Sequence, residues 1–334
     1  MFDLFARLAY QPGNLLISEF SLRRALGMVL LGARGETRRQ MAEVLGEDEQ
    51  RLPPANEVDL TEANGIWVQS GIELDPEFQS AVHSRYDAEV AAADFANGAE
   101  PARLKINRWV EQATRGQIRD LFEPGAIDAT TPAVLANAMS FRGSWASPFD
   151  PVYTGPAPFH LADGSTVPVE HMTQLNTYGF ARRAGMTLVD LPYRGDCSML
   201  VLVPDRWESC DLSQFATLES ELQPVEIMLS LPRFETTHRL KAARLLSEMG
   251  MPNLFGDGAD LTGITTAAPL WVSDVVHEAH IQVDEVGTEA GVSTGIEMTL
   301  GSPPPPVWVN RPFHFWIRCG GTTLFRGRIM DPRS

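Results

Sequence analysis

The sequence predicts a mixed α+β fold in which β-sheets pack against separate helices, and three observations lead to this prediction. Residues 133–141 form a near-continuous apolar run, which is typical of a strand buried on both faces. Residues 225–231 alternate between apolar and polar side chains, which indicates a strand with one wet face. Apolar residues at helical spacing follow good N-cap residues, as at Ser21 and Asp75. No repeat or linker interrupts the chain, so we predict a single domain over residues 1–334.

Apolar periodicity, capping residues and helix breakers place the predicted elements in chain order. Helices are predicted at 2–10, 21–31, 38–45, 76–86, 104–115 and 240–249. Strands are predicted at 14–18, 64–68, 133–141, 186–192, 198–203, 225–231, 307–317 and 324–329. Pro76 in the first turn of its helix and Gly46 after the third helix fit these positions, because the first helical turn does not need the N–H donor that proline lacks and glycine ends helices well.

Charge and composition exclude several classes of partner. The formal net charge is −16, which disfavours nucleic acid and anionic membranes as partners. No apolar stretch is long enough to span a bilayer. The acidic segment 47–62 gives no basic surface, so we expect no activation by heparin. The sequence contains no motif for a cofactor or a metal ion, so we expect neither, and we expect a monomer.

The cysteines and the first residues bear on the compartment. The three cysteines, Cys197, Cys210 and Cys319, are few, odd in number and far apart, so we expect no disulfide framework and a reducing compartment. The chain does not begin with a basic segment followed by an apolar run, so no signal peptide is predicted. We therefore expect a cytoplasmic protein, or an extracellular one if the sequence given lacks its leader.

The stretch from Ile281 to Pro306 combines features of a strand and of an exposed loop. From Thr288 onward, uncharged residues alternate with positions that include Glu289 and Glu297, as in a strand with one buried face. Glycines weaken this strand, and four consecutive prolines at 303–306 prevent ladder pairing. The pattern therefore predicts an exposed segment that is able to become a strand.

Four segments resemble the serpins, a family of serine protease inhibitors, and the likeness is to a short, prokaryotic-type member. They are Asn137 to Trp145, Glu285-Val-Gly-Thr-Glu-Ala290, Asn310-Arg-Pro-Phe-His-Phe315 and Phe325-Arg-Gly-Arg-Ile-Met-Asp-Pro332. The resemblance implies three β-sheets surrounded by helices, with an exposed reactive-centre loop at about 286–306. Insertion of a loop into a sheet is a known property of serpins, so this expectation comes from the family resemblance and not from the residue spacing of this chain.

The resemblance implies a metastable suicide inhibitor that performs no catalysis of its own. A chymotrypsin- or subtilisin-like serine protease would cut the loop and form an acyl-enzyme, and the severed loop would insert into the main sheet and trap the enzyme in a covalent complex. The loop spacing of the family, counted from Glu285 to Asn310, places the cut bond at Leu300-Gly301 or Gly301-Ser302. Leucine fills an apolar specificity pocket, which favours Leu300 as the recognised residue over Gly301.

The resemblance also assigns roles to two groups of residues. The hinge through which insertion begins comprises Glu285, Gly287, Thr288, Glu289, Ala290, Gly291, Val292, Ser293 and Thr294. The cluster at which the sheet opens comprises Ser18, Ser21, Asn137, His277 and Trp145. Small uncharged residues at alternate hinge positions fit insertion, because a charged group entering the core would cost several kcal/mol unless paired.

Other interpretations of the same residues remain open to test. Gly291-Val-Ser-Thr-Gly295 fits a hydrolase nucleophile motif, but no helix-forming segment follows it and no acid–histidine pair comes in the required order. His277-Glu-Ala-His280 is one residue short of the zinc-binding HExxH spacing. Two alternatives keep the serpin fold: a non-inhibitory binding protein, and an inhibitor of papain-like cysteine proteases.

Overall fold

The computed structural model describes residues 2–46, 51–54, 56–287 and 304–333. The predicted hinge from Thr288 to Thr294, the Gly291–Gly295 motif and the predicted reactive bond at Leu300, Gly301 and Ser302 lie outside the described residues. The helices of the described part are α1 Leu4–Leu8, α2 Glu19–Gly32, α3 Gly35–Leu45, α4 Pro76–Tyr86, α5 Phe95–Ala113, α6 Phe215–Ser220 and α7 Ala243–Glu248. Short 3-10 turns lie at Pro151–Tyr153, Trp207–Ser209, Leu212–Gln214 and Pro252–Phe255.

The strands of the described part belong to a five-stranded and a nine-stranded sheet, so the α+β class is confirmed. They are β1 Leu15–Ile17, β2 Val58–Gln69, β3 Glu89–Ala93, β4 Ala133–Gly143, β5 Thr154–His160, β6 Thr166–Arg183, β7 Met186–Pro192, β8 Cys197–Pro204, β9 Gln223–Pro232, β10 Phe234–Lys241, β11 Asp274–Val283, β12 Pro306–Trp308, β13 Phe313–Cys319 and β14 Thr322–Ile329.

The strand orders explain why two sheets are counted where three were expected. The five-stranded sheet runs β10-β11-β4-β2-β3, and the nine-stranded sheet runs β1-β14-β13-β8-β7-β6-β9-β12, with β5 also paired to β6. β6 is 18 residues long, and it pairs with β5 through its first half and with β7 through its last residues. One long strand thus joins two groups of strands into a single hydrogen-bonded sheet.

Three predicted boundaries change for local reasons. The N-cap of α2 is Ser18 and not Ser21, because the Ser18 side chain accepts a hydrogen bond from the Ser21 backbone N–H at 3.0 Å. The predicted helix at 240–249 begins only at Ala243, since residues before it belong to β10. The predicted strand 307–317 is two strands separated at 309–312, where Pro312 cannot donate to a ladder.

Both faces of the central strands of the five-stranded sheet are buried. One face packs against α2, α3 and α4, and the other packs against α5 through apolar residues that include Val134, Ala136 and Val276. Glu278 and His280 alternate with Val276 on this second face and are buried, and they pair with Arg239 at 2.6 Å and Glu235 at 3.0 Å. Both partners lie on the neighbouring strand β10.

Two cysteines correct the expectation of no disulfide framework. Cys197 and Cys319 are register partners at the end of the β8–β13 ladder, and they form a disulfide that closes a sequence separation of 122 residues. Cys210 carries a free thiol. The strand register brings the pair together, which cysteine spacing alone did not reveal. A disulfide also removes the support that the cysteines gave to a reducing compartment.

Two further findings concern the described residues only. None of their helices has the length and apolar character needed to cross a membrane. They also contain no group of three or more His, Cys, Asp or Glu side chains placed to hold a metal ion.

Candidate functional site

Two adjacent strands of the five-stranded sheet form the centre of the candidate site. β11 and β4 run parallel and pair directly from Asp274 with Val134 to Ile281 with Phe141. We call this ladder the seam. The chain leaves β11 after Val283 and soon enters the predicted loop, so the loop begins at one end of the seam.

A buried hydrogen-bond network crosses the seam near its middle. His277 on β11 and Asn137 on β4 are register partners, and Nδ1 of His277 bonds to Oδ1 of Asn137. The Ser18 backbone N–H donates to Nε2 of His277 at 3.1 Å, and Nδ2 of Asn137 donates to Oγ of Ser21 at 2.7 Å. All four residues are fully buried. We call Ser18, Ser21, Asn137 and His277 the polar cluster.

The hydrogen bonds fix the protonation state of the cluster. Because Nε2 of His277 accepts from a backbone N–H, the ring proton lies on Nδ1 and is donated to Asn137. Burial, together with the nearby His238, lowers the pKa of His277 to about 3. The ring is therefore neutral at ordinary pH, and protonating Nε2 would break its bond to Ser18.

Three further residues complete the network and were missed from the sequence. Oδ1 of Asn64 accepts from Asn137 at 2.6 Å, and Oε1 of Glu62 accepts from Ser21 Oγ at 2.8 Å. The other Glu62 oxygen pairs with Nε of Arg24 at 2.9 Å, and this pair is largely buried. Glu62 and Asn64 are two residues apart on β2, and Arg24 is three residues beyond Ser21 on α2. In each element this spacing places the two side chains on one face, and this was the signal available in the sequence.

The first residues of the predicted loop are docked against the end of β4. The Trp145 backbone N–H donates to the Val286 carbonyl at 3.1 Å, and its Nε1 donates to the Asp284 carbonyl at 2.9 Å. Gly287 has φ +77°, a conformation that favours glycine. A Cβ there would overlap the carbonyl oxygen of Gly143, so a side chain would displace this docking.

An ion pair in which only the carboxylate is buried also holds this segment. Glu285 is buried and its carboxylate pairs with Arg233, whose side chain is partly exposed. Burial opposes the charge of this carboxyl, but the hydrogen bond and charge of Arg233 bring the pKa of Glu285 below its ordinary value. The Glu285 carbonyl accepts from the Phe149 backbone N–H at 2.8 Å. Backbone and side-chain contacts together fix where the loop departs.

The structure separates Trp145 from the polar cluster with which it was grouped. Trp145 follows Asn137 by eight residues, or roughly 26 Å of extended chain. Its ring stacks on Tyr193 at 4.3 Å and meets Phe149 edge-on at 6.3 Å. Trp145 therefore contacts the segment 284–286, while the polar cluster crosses the seam further along.

The chain is similar over its whole length to known proteins. A family model described as Serpin (serine protease inhibitor) matches residues 1–332. The leukocyte elastase inhibitor of Sus scrofa is 35% identical, and the match covers 99% of this chain and 97% of that protein. Uncleaved ovalbumin superposes with a TM-score of 0.88 at 27% identity, covering 99% of this chain and 97% of the other. Human thyroxine-binding globulin complexed with its hormone gives 0.88 at 26% identity, covering 99% and 96%. The family match, the relative and the shared fold agree, and the chain belongs to the serpin family.

Proposed function

We propose that the protein is a suicide inhibitor of chymotrypsin- or subtilisin-like serine proteases. The protease would cut the 286–306 loop and form an acyl-enzyme, and the severed loop would insert between β11 and β4. The observation that supports this most strongly is the seam, where two directly paired parallel strands are bridged by polar side chains and the loop departs from one end.

The topology at the seam makes insertion favourable. The backbone turns at Gly287, and a strand running back from there would be antiparallel to both β11 and β4. Insertion would replace one parallel ladder with two antiparallel ladders, which are slightly more stable per residue. At about 1 kcal/mol per net hydrogen bond, one additional ladder of about a dozen residues is worth on the order of 10 kcal/mol. That gain is comparable to the whole stability of a domain, so a kinetic barrier must preserve the intact form.

The side chains of the loop fit this use. At alternate positions, Thr288, Ala290, Val292 and Thr294 carry no charge, whereas Glu289 falls on the opposite parity. In the polar cluster, His277 and Asn137 each have partners besides one another, namely Ser18 for His277 and Ser21 and Asn64 for Asn137. Separating the strands would break one side-chain hydrogen bond and leave the other partners in reach. The cluster would thus act in gating and not in catalysis.

The chemistry at the bait bond belongs to the protease. Its active-site serine would attack the carbonyl of Leu300, or of Gly301 in the second alternative, and the new amino terminus would leave. The ester to the protein would persist if insertion carries the enzyme away and distorts its site before water attacks. Leu300 suits an apolar specificity pocket, and Gly301 with an elastase-like enzyme is the alternative.

The test is incubation with chymotrypsin and with subtilisin, followed by denaturing gels. We expect a complex that survives boiling in SDS, and the mass of the released carboxy-terminal peptide would identify the cut bond. Thr288→Arg should convert the inhibitor into a substrate that is cut without trapping. Thr266→Arg, at an exposed threonine remote from the loop, should trap normally. Undiminished trapping by Thr288→Arg would contradict insertion, and trapping of papain alone would move the target to cysteine proteases.

A surface cavity supports a second candidate function, that of a small-molecule carrier. The cavity measures about 440 Å³, a size typical of ligand sites, and aromatic side chains of Phe20, Phe215 and Trp316 line it. Arg318 and Arg326 also line it, and their guanidinium groups are paired with Glu219 and with Asp3 and Glu19. A molecule with an aromatic body would pack against the rings of this lining, and thyroxine-binding globulin shares the fold.

The carrier function is tested with a fluorescent probe of that chemistry, 8-anilino-1-naphthalenesulfonate. Saturable binding with energy transfer from tryptophan, lost in Phe215→Ala, would support a carrier. Absence of binding at millimolar probe would remove the carrier hypothesis and leave the inhibitor.

A further inference from the structure

A protease held only by the loop would have a small interface. Stable protein complexes use about 20–30 residues on each side. An enzyme cleft engages only the few residues that flank the cut bond, so a protease bound at the loop needs additional contacts on the body of the protein. The body surface that faces such an enzyme lies between the two ends of the loop, at Gly287 and Pro304.

Three exposed apolar residues lie on this surface, and we call them the rim patch. Val152 and Tyr153 are 81% and 54% exposed in the turn that follows Phe149, which itself contacts the loop start. Trp308 is 49% exposed on β12, which follows the loop end. Few other large apolar side chains of the described residues are this exposed, and exposed aromatic residues mark interaction sites.

Strand register places the members of the patch near one another. Trp308 pairs with Ser230 of β9, and Ser230 pairs with Thr173 of β6. On the far side of β6, β5 begins at Thr154, directly after Tyr153. Three strand spacings therefore separate Trp308 from Tyr153, or roughly 14 Å. The patch thus extends from the turn after Phe149, which contacts Glu285, to β12, which follows the predicted loop.

Trp308 is held rigidly at a fixed reach from the bait bond. Its strand is anchored by Met228 N–H to Pro305 O at 3.2 Å and by Val309 N–H to Ser230 O at 2.9 Å. Six positions separate Ser302 from Trp308, so chain length alone limits their distance to about 22 Å. An enzyme bound at the bait bond therefore has Trp308 within reach.

We propose that the rim patch is a second contact surface for the target serine protease, with Trp308 as its anchor against an apolar surface beside the enzyme's active-site cleft. This inference rests on the proposed inhibitory function. Tryptophan is among the residues that dominate binding energy in protein interfaces, and a fixed backbone reduces the entropy lost on binding. The patch would raise the association rate with a preferred protease without changing the trapping step.

The experiment compares association rates with chymotrypsin. Trp308→Ala should lower the second-order rate constant for trapping by about tenfold, as expected for an interface anchor, and Tyr153→Ala by less. Trp308→Phe should recover most of the rate. The matched control is Tyr10→Ala, since Tyr10 is 94% exposed near β1, at the opposite end of the strand order from β12. The number of inhibitor molecules consumed per enzyme should stay at the wild-type value in all four variants.

A second measurement separates this proposal from the inhibitory function. Chymotrypsin whose catalytic serine is replaced by alanine binds without trapping, and Trp308→Ala should weaken its Kd by the same factor. Wild-type protein that binds this enzyme but forms no SDS-stable complex with the active one would disprove the trap and not the patch. Equal rates for Trp308→Ala and Tyr10→Ala would overturn the patch, as would a wild-type dimer that Trp308→Ala dissociates.

Discussion

The seam between β11 and β4 and the ladder between β8 and β13 are both buried strand pairs, yet they are built differently. The seam is parallel and carries a histidine opposite an asparagine, with both side chains hydrogen-bonded to α2 or its cap. The β8–β13 ladder is antiparallel, contains Phe315 opposite Val201 and Ile317 opposite Met199, and ends in the disulfide of Cys197 and Cys319.

Under the proposed mechanism, this difference distinguishes a strand pair that must separate from one that stays paired. Most register partners of the seam are apolar as well, as at Ile281 and Phe141, and the polar pair His277–Asn137 is what distinguishes it. Buried polar groups keep most of their free energy if new partners replace the old ones, so this pair costs less to separate than an apolar pair in its place. Interlocked apolar side chains lose their contacts outright when strands part, and a covalent bond prevents parting altogether. The two ladders therefore suit a moving and a static part of one molecule.

The largest effect that tests the contrast is cleavage of the loop. We expect the cut protein to unfold at a temperature roughly 15 °C above the intact one, since about 10 kcal/mol of added ladder is divided by the large unfolding entropy of a chain this size. Differential scanning calorimetry of intact and nicked samples measures this shift. Nicked Thr288→Arg should show a much smaller rise. Identical unfolding temperatures for nicked and intact wild type would show that the seam does not open.

The disulfide should contribute the next largest effect, and equally to both forms. Replacing Cys197 and Cys319 together by alanine should lower the free energy of unfolding by about 2–4 kcal/mol, because the cross-link restricts the unfolded chain. Urea titration of intact and nicked protein measures this. Cys210→Ala, which removes the free thiol, should change it by less than about 0.5 kcal/mol. A loss confined to the intact form would mean that the static ladder also rearranges.

Local patterns predicted the elements of this fold better than their pairing. The apolar run at 186–192 coincides with β7, because its side chains alone favour a buried strand. The 18-residue strand β6 was missed, since many of its residues are polar and only half-buried, and its neighbours on both edges hold it.

The site residues that the family resemblance names were predicted, whereas those that strand register brings to the site were missed. Ser18, Ser21, Asn137 and His277 were identified by likeness to serpins, and the structure places them in one network. Asn64 joins them only because β2 pairs with β4 so that Asn64 lies opposite Asn137. The pairing of Cys197 with Cys319 has the same origin. Register across a sheet is a long-range property that no short window of sequence contains.

A smaller effect should appear at the polar cluster itself. Asn137→Ala removes partners of Ser21, Asn64 and His277, so it should destabilise the intact protein by about 1–3 kcal/mol. The cost should be lower in the nicked form, because an inserted strand would already have separated Asn137 from His277. Chemical denaturation of both forms measures the two costs.

A matched control for that variant is Asn107→Ala. Asn107 is also buried and bonds to the backbone of Phe122, at 2.9 Å through each end of its amide, but it lies on α5 away from the seam. Its loss should cost the same in intact and nicked protein. Equal costs for Asn137→Ala in the two forms would mean that the His277 bond does not change on cleavage.

Measured per pH unit, the smallest effect is the pH dependence that His277 gives to the intact protein. The pKa of His277 is about 3 when folded and about 6.5 when unfolded, so the unfolded chain binds one more proton between these values. Its contribution is constant above pH 6.5, and stability falls as pH drops from 6.5 toward 3. His277→Gln should reduce this slope by up to about 1.4 kcal/mol per pH unit in urea titrations. His171→Gln, at a buried histidine of β6 whose pKa burial lowers to about 4, should flatten the curve over a narrower range and equally in both forms. A His277→Gln curve parallel to wild type would show that the ring at the seam is already protonated or already exposed to water. The bond between His277 and Asn137 would then not be a buried contact between neutral groups, and separating it would not carry the low cost proposed for the seam.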